Sequence, residues 1–441
     1  MFKRIGADVS DSGARVKISD ASFPSPFESG LEYGCSARGT WNIVHTGMLM
    51  PQAHEIFVCA SGCLRGVVLT AAEMGASHRF STVEIREQNV LDGDMEELIV
   101  EGVSDILSKL TPKPKAVLLY TSCIHHFIGC DLPDVYRTLR ERHPDVDFTD
   151  CYMNPIMRKS GITPDALMRK QLYSLLPQSE KDERAVNIIG NNIAVSKNSE
   201  LYEICEKAGF TLTEIHDTKT YEQYKAMGKA FLNITTNPAA VKAGEELQKR
   251  LSQKHISLMQ SFNPEDIKQS LTTLCKELDA EIPDLDAMQK KAQNALSNAR
   301  ELIGDTPITI DYTAVTSPLS LARLLLENGF NVKAVYADSF TQNEKKHFDF
   351  LKMHYPELDV IATVHSKLRV LPRVTAFKTL AIGQKAAYFT GTEHFVNIVE
   401  SGGMYGFSGI VEMCSLMEQA FVEKKDTRKL IQIKGMGCSC E

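Results

Sequence analysis

The alternation of strand-like and helix-like stretches predicts an α/β protein with parallel sheets. Three observations carry that reading. Short apolar runs of strand length recur, among them Ile56-Phe57-Val58, Ala116–Ser122, Ala185–Ile189, Phe231–Thr235 and Val332–Tyr336. Stretches of helical period separate them, and strands alternating with helices imply a parallel sheet covered on both faces. The length of 441 residues suits two to four domains at roughly 100–200 residues each. The expected architecture is three Rossmann-like units in series, each a parallel sheet flanked by helices, over residues 1–182, 183–299 and 300–441.

Taken in order, residues 1 to 30 carry Gly, Ser, Asp and prolines without a period, so an irregular arm is expected there. Ile56–Val58 reads as a strand ending at Cys59, and Leu64–Met74 as a helix opened by Cys63 and closed by Gly75. A strand at Thr82–Ile85 and a helix over 93–110, stopped by Thr111-Pro112, follow. Ala116–Ser122 is a buried strand with Cys123 at its end, then a loop holding His125, His126 and Cys130. Asp131 starts a helix with Pro133 in its first turn, and a strand over Val146–Thr149 leads to Cys151. Residues 178–184 read as a charged linker. The second round has strands at Ala185–Ile189 and Phe231–Thr235, and helices at Glu200–Lys207 and from Pro238 to Arg250. A long helical pattern over Asp284–Ile303 leads to the third round. That round places strands at 307–311, Val332–Tyr336, Val360–Val364 and Ala386–Thr390, and a helix at Leu319–Leu326.

Composition excludes several classes. Apolar residues at 43% and charged residues at 24% are those of an ordinary globular chain. A formal charge of −7 with no Lys/Arg cluster argues against nucleic acid. No apolar run reaches the roughly 20 residues of a membrane span, and the first thirty residues lack a targeting core, so a cytoplasmic protein is expected. No Gly-x-Gly-x-x-Gly, no Gly-x-x-x-x-Gly-Lys-Ser/Thr and no Gly-x-Ser-x-Gly occurs. Dinucleotide binding, nucleotide hydrolysis and a serine nucleophile are therefore not advertised.

The chemistry concentrates in cysteine. Six of the eleven lie between Gly34 and Cys151: Cys35, Cys59, Cys63, Cys123, Cys130 and Cys151. A disulfide framework is not expected in a cytoplasmic chain. Cys205, Cys275 and Cys414 fall in helical patterns and read as buried apolar residues. Cys35 instead follows Gly34 in a loop, Cys63 opens a helix and Cys123 follows a strand, which are places where backbone geometry presents a thiolate. We read the stretch as an iron–sulfur cluster site, built without a CxxC pair or a ferredoxin-type run.

Gly34-Cys35-Ser36-Ala37, then Val58-Cys59-Ala60-Ser61-Gly62-Cys63, then Thr121-Ser122-Cys123 with Phe127-Ile128-Gly129-Cys130-Asp131 resemble the ordered motifs of nitrogenase component 1. That family includes the molybdenum–iron protein subunits, their assembly-scaffold relatives, protochlorophyllide reductase subunits and nickel-sirohydrochlorin reductive cyclase. Its third motif carries Ile-Gly-Asp-Asp where this chain has Ile128-Gly129-Cys130-Asp131. Val186–Gly190, Phe231–Ile234 and Gly403-Met404-Tyr405-Gly406-Phe407-Ser408-Gly409 also resemble family segments, so the likeness spans essentially the whole chain.

The resemblance implies that Cys35, Cys63 and Cys123 bind this subunit's share of an iron–sulfur cluster, 4Fe-4S or larger, at a subunit interface. The fourth ligand would come from a partner subunit or from Cys59, Cys130 or Cys151. It further implies a dimer, with itself or with a paralogous component 1 subunit, and an ATP-hydrolysing partner like the nitrogenase iron protein that delivers electrons. Two departures bear on the substrate. The middle strand ends Ile234-Thr235-Thr236-Asn237, without the cysteine that holds the large cofactor in catalytic subunits, and Tyr405 stands where their cofactor histidine would be. A nitrogenase-like reductase of an unidentified substrate is expected, not a dinitrogen reductase; the alternative is a scaffold for assembling a metallocluster or tetrapyrrole. No catalytic residue is assigned: His45, His54, Glu393 and His394 read as structural or solvent-facing. A terminal Cys438-Ser439-Cys440 is open to metal, redox or no role.

Overall fold

The computed structural model describes residues 11–432 apart from 12, 38, 41, 155–161, 370, 372 and 374–376, with the side chains of 431 and 432 also outside the description. Cys438 and Cys440 lie outside the described residues.

Three sheets emerge, in agreement with the expected α/β class of parallel sheets flanked by helices. The first strand, β1 (Arg15–Lys17), corrects the expectation of an irregular arm. The next four, β2 (Ala53–Ala60), β3 (Phe80–Ile85), β4 (Ala116–Ser122) and β5 (Asp147–Met153), form one parallel sheet in the order β3-β2-β4-β5. The second parallel sheet is β7-β6-β8-β9, from β6 (Asp182–Ile188), β7 (Thr211–Thr213), β8 (Ala230–Thr235) and β9 (Lys254–Ser257). The third contains β10 (Ile308–Asp311), β11 (Val332–Tyr336), β12 (Asp359–Ile361), β13 (Leu380–Ile382) and β14 (Phe395–Val396) in parallel, with β1 added antiparallel at the β12 edge. Arg15 and Lys17 hold that edge through Asp359, at 2.9 and 3.0 Å, which is why a polar tripeptide without a period forms a strand. Local signal was absent; long-range pairing supplied it.

By contacts the chain divides into two compact units. One comprises Trp41–Asn192 and Gly209–Ser257 and holds the first two sheets; the other comprises Met1–Thr40, Ile193–Ala208 and Leu258–Glu441 and holds the third. In the two-sheet unit, Phe57 stacks on Tyr120 at 4.0 Å, and both join a buried cluster with Leu118, Cys151, Leu172, Tyr173, Tyr224 and Leu247. On the other face of the first sheet, Ile56, Val58, Val117 and Leu119 pack with Ile99, Val103 and Leu139 from the flanking helices. Alternate residues of each strand thus enter opposite cores, as a sheet covered on both faces requires. Burying a large apolar side chain contributes about 1.5–3 kcal/mol, so these layers set the strand order.

Local expectations were corrected at several points. Asp182–Arg184, read as linker, opens β6 with exposed charges. Ala386–Thr390 belongs to a helix, Gln384–Thr390, because β13 stops at Ile382 and the buried Asp311 carboxylate accepts the Ala386 N–H at 2.7 Å. Gly383, at φ +113°, makes that break while lying against the same carboxylate, where a Cβ would collide. His125 and His126 sit in a short helix, Cys123–Ile128, and not in a loop. Cys151 lies within β5 and not beyond it.

Candidate functional site

Two of the singled-out cysteines come together in the two-sheet unit. Strands β2 and β4 are adjacent and parallel, with Val58 opposite Thr121. Each runs at its carboxyl end straight into a helix: Ala60 into Ser61–Glu73, and Ser122 into Cys123–Ile128. Cys63 therefore stands in a first helical turn, exposed, and Cys123 is the first helical residue, partly exposed. Cys59 is the penultimate residue of β2, so Cys59, Cys63 and Cys123 all lie toward the carboxyl ends of two adjacent strands. A Cβ added at Gly62 or Gly66 would meet nothing within 4 Å, so the space beside Cys63 is open.

The neighbouring cysteines differ in kind. Cys59 is 1% exposed, and burial together with Cys63 and Cys123 pushes its thiol up to about 12. Cys151 is fully buried, and burial, Asp150 and Glu55 raise its thiol well above the ordinary range. Cys130 is half-buried, pushed up to about 11 by burial and Glu96. Burial is the first cause of the shift at all three.

His125 has a structural task. The Ser122 N–H donates to its Nδ1 at 3.1 Å, completing the start of the Cys123 helix, and burial lowers its basicity. His126 packs beside Tyr152 at 5.7 Å between ring centres. His45 likewise caps its own helix, accepting the Asn42 N–H at 3.1 Å. His54 is buried against the Ser81 hydroxyl at 2.8 Å, and burial with Arg79 lowers it to about 4. Apolar groups are exposed on the cysteine helices themselves: Phe127 at 73%, Ile128 at 42% and Val68 at 42%.

Cys35 belongs to the other unit, where its loop is tied to the third sheet. Glu32 bridges His365, and the Tyr33 N–H donates to the Val364 carbonyl at 2.6 Å, just past β12. The Ser36 hydroxyl donates to Tyr388 Oη at 3.0 Å, and Tyr33 Oη lies 3.3 Å from the same oxygen. Burial and Tyr388 push the Tyr33 hydroxyl up to about 12. Arg373 lies over the Tyr388 ring at 4.2 Å and donates to Tyr33 Oη at 3.3 Å. Cys35, half-buried, packs on the cluster containing Ala386 and Tyr388. None of these partners was visible in the sequence, since each lies more than 300 residues along the chain and carries no motif.

Two segments singled out in the sequence remain, Ile234–Asn237 and Tyr405. Thr236 exchanges hydrogen bonds with Asn191 at 2.9 and 3.1 Å. Tyr405 is buried at the start of the Gly406–Val422 helix, whose Ser408 donates through N–H and hydroxyl to the Glu200 carboxylate at 2.8 and 2.9 Å. Among the described residues, no three or more His, Cys, Asp or Glu side chains are grouped to hold a metal ion by themselves. The donor set nevertheless fits a thiophilic group in part: two accessible thiols at one sheet end with open space beside them. No helix of the described residues is long and apolar enough to cross a membrane.

Residues 44–415 match the family described as nitrogenase component 1 type oxidoreductase. The chain belongs to that family. As a nitrogenase component 1 type oxidoreductase, it shares its fold with solved structures of nitrogenase Cp1. One, at pH 6.5, superposes with a TM-score of 0.66 over 90% of this chain and 95% of that chain at 14% identity. Another, at pH 5, gives 0.57 over 93% and 94% at 13% identity. No curated protein matches the sequence. In this component 1 type chain, the match takes in Cys63 and Cys123 but begins after Cys35.

Proposed function

We propose that this component 1 type oxidoreductase holds an iron–sulfur cluster through Cys35, Cys63 and Cys123, and works as the electron-accepting subunit of a two-component reductase. The observation that carries the reading is the contrast among thiols in one unit. Cys63 and Cys123 are accessible at the ends of adjacent strands, while Cys59 and Cys151 are enclosed in the core. The cluster, when bound, supplies one-electron transfer at low potential. The chain's own residues do the rest. The β2 and β4 ends set Cys63 and Cys123 at one sheet end, and Tyr388 holds the loop that carries Cys35. The exposed Phe127, Ile128 and Val68 offer apolar cover for a partner subunit, itself or a paralogue, that would complete the ligand set. Family membership supports an ATP-hydrolysing iron protein as electron donor. The resemblance to the family supports this further: the stretch Ile234-Thr235-Thr236-Asn237 lacks a cysteine and Tyr405 stands where a histidine would be expected, which favours a substrate other than dinitrogen.

The test is anaerobic iron–sulfide reconstitution with metal analysis and electron paramagnetic resonance, for wild type and Cys63→Ala. About four irons per dimer or more, lost in the variant, is the expected result. A folded, colourless wild type that takes up no iron would sink the proposal. Turnover separates the reductase from an assembly scaffold: only a reductase consumes ATP and reductant with substrate when given its iron-protein partner.

A further inference from the structure

An open cavity of about 560 Å³ lies in the two-sheet unit, within the roughly 300–1,000 Å³ of small-molecule sites. The helix Pro164–Leu172 and the helix Val241–Leu251 both contribute to its lining. Each turns apolar residues inward, Met168 and Leu172 from the first and Ala243, Leu247 and Leu251 from the second, all in one buried cluster. That packing leaves a charged face of the second helix on the cavity: Lys242, Glu245, Glu246, Lys249 and Arg250. Lys170 of the first helix lines the same space.

The charges of the lining do not cancel, since four cations stand against two carboxylates. Glu245 takes the Lys242 ammonium at 2.7 Å. Glu246 Oε1 accepts from Arg250 Nε at 2.7 Å, and the other guanidinium nitrogens donate to the Leu176 carbonyl at 2.6 Å and the Tyr173 carbonyl at 3.0 Å. Both carboxylates are thereby engaged, and among the described residues Lys170 and Lys249 form no ion pair. Two ammonium groups on different helices are left over. So is one acceptor: among the described residues, the enclosed Glu246 Oε2 has no hydrogen-bond partner. An enclosed acceptor without a donor is costly, and here the chain offers no donor of its own.

We propose that this cavity binds a small hydroxylated dicarboxylate. One ligand carboxylate meets Lys170, the other meets Lys249, and the ligand hydroxyl donates to Glu246 Oε2. Two negative charges match the excess of the lining, and ammonium groups on separate helices suit two separated carboxylates better than one compact phosphate. Ile162, which lines the same space and is 38% exposed, covers the carbon chain. The inference does not rest on the proposed cluster function, because none of these residues belongs to the cysteine sites.

The test is isothermal titration calorimetry of the full chain at low ionic strength, where exposed charges are least screened. Malate is the probe, with succinate and inorganic phosphate as comparisons. Malate is expected to bind saturably, and Lys170→Gln and Lys249→Gln to weaken it about fivefold each, or about twenty-five-fold together. Succinate lacks the hydroxyl and leaves Glu246 Oε2 unpaired, so it should bind about tenfold more weakly. No saturable binding of malate, or a double variant that binds it as the wild type does, overturns the proposal. Succinate that binds as tightly as malate overturns the role of Glu246, and phosphate that binds as tightly overturns the dicarboxylate class. Should Lys170→Gln, at a half-buried position, fail to fold by circular dichroism, Lys249→Gln at an exposed one decides: unchanged affinity there also overturns the proposal.

Discussion

Alkylation of the metal-free chain at pH 8 divides its cysteines sharply, and the structure sets the size of the division. Cys63 is exposed, whereas Cys59, two residues before the same helix, is 1% exposed with its thiol at about 12. At pH 8 an ordinary thiol of pKa about 8.5 is roughly a quarter ionised, and one at about 12 is ionised to about one part in 10⁴. Ionisation alone therefore slows Cys59 about two-thousandfold against an ordinary cysteine. The more basic thiolate is the better nucleophile, and a Brønsted slope near 0.45 returns about 1.5 log units. Roughly a hundredfold difference remains from chemistry alone, before the reagent's access to a buried sulfur is counted. Iodoacetamide labelling followed by peptide mass spectrometry reads each site separately. Cys63 is expected to label first, and Cys59 and Cys151 at least a hundredfold more slowly. If Cys59 or Cys151 labels within about tenfold of Cys63 while circular dichroism remains native, the assignment of two accessible and two core thiols is wrong.

Two further outcomes follow from particular contacts. Burial pulls the Asp266 carboxyl up, but His347, Lys346 and Ser261 more than offset it and hold it at about 2. A carboxyl held below its unfolded value of about 3.9 adds stability that is complete above about pH 5 and is lost as pH falls through 2. Asp266→Asn should therefore cost about 1–2 kcal/mol at pH 7, after allowance for partial solvent screening, and flatten the stability profile between pH 5 and 2; urea unfolding at several pH values checks it, and an unchanged midpoint at pH 7 argues against it. Tyr388→Phe removes the oxygen that the Ser36 and Tyr33 hydroxyls share, so the Cys35 loop should loosen at a cost of about 0.5–1.5 kcal/mol per bond, and Cys35 should react several-fold faster with a thiol reagent; an unaltered rate means the loop is held by packing alone.

The sequence by itself determined the class of fold and the places where chemistry concentrates. Apolar runs such as Ala116–Ser122 announced buried parallel strands because a sheet covered on both faces leaves no polar alternation to obscure them. Cys63 and Cys123 announced themselves because a helix start or strand end is a local feature, readable from Gly62, Ser122 and the apolar runs beside them. Tertiary structure decided what local pattern cannot carry. It separated Cys59 and Cys151 from Cys63, since burial depends on which layers stack over a strand. It made an edge strand of Arg15–Lys17 and a helix of Gln384–Thr390, because the partner groups, Asp359 and Asp311, lie far along the chain. The company of Cys35 came from the same source: Tyr388 and Arg373 act on a loop some 340 to 350 residues away, through hydrogen bonds that leave no trace in sequence spacing.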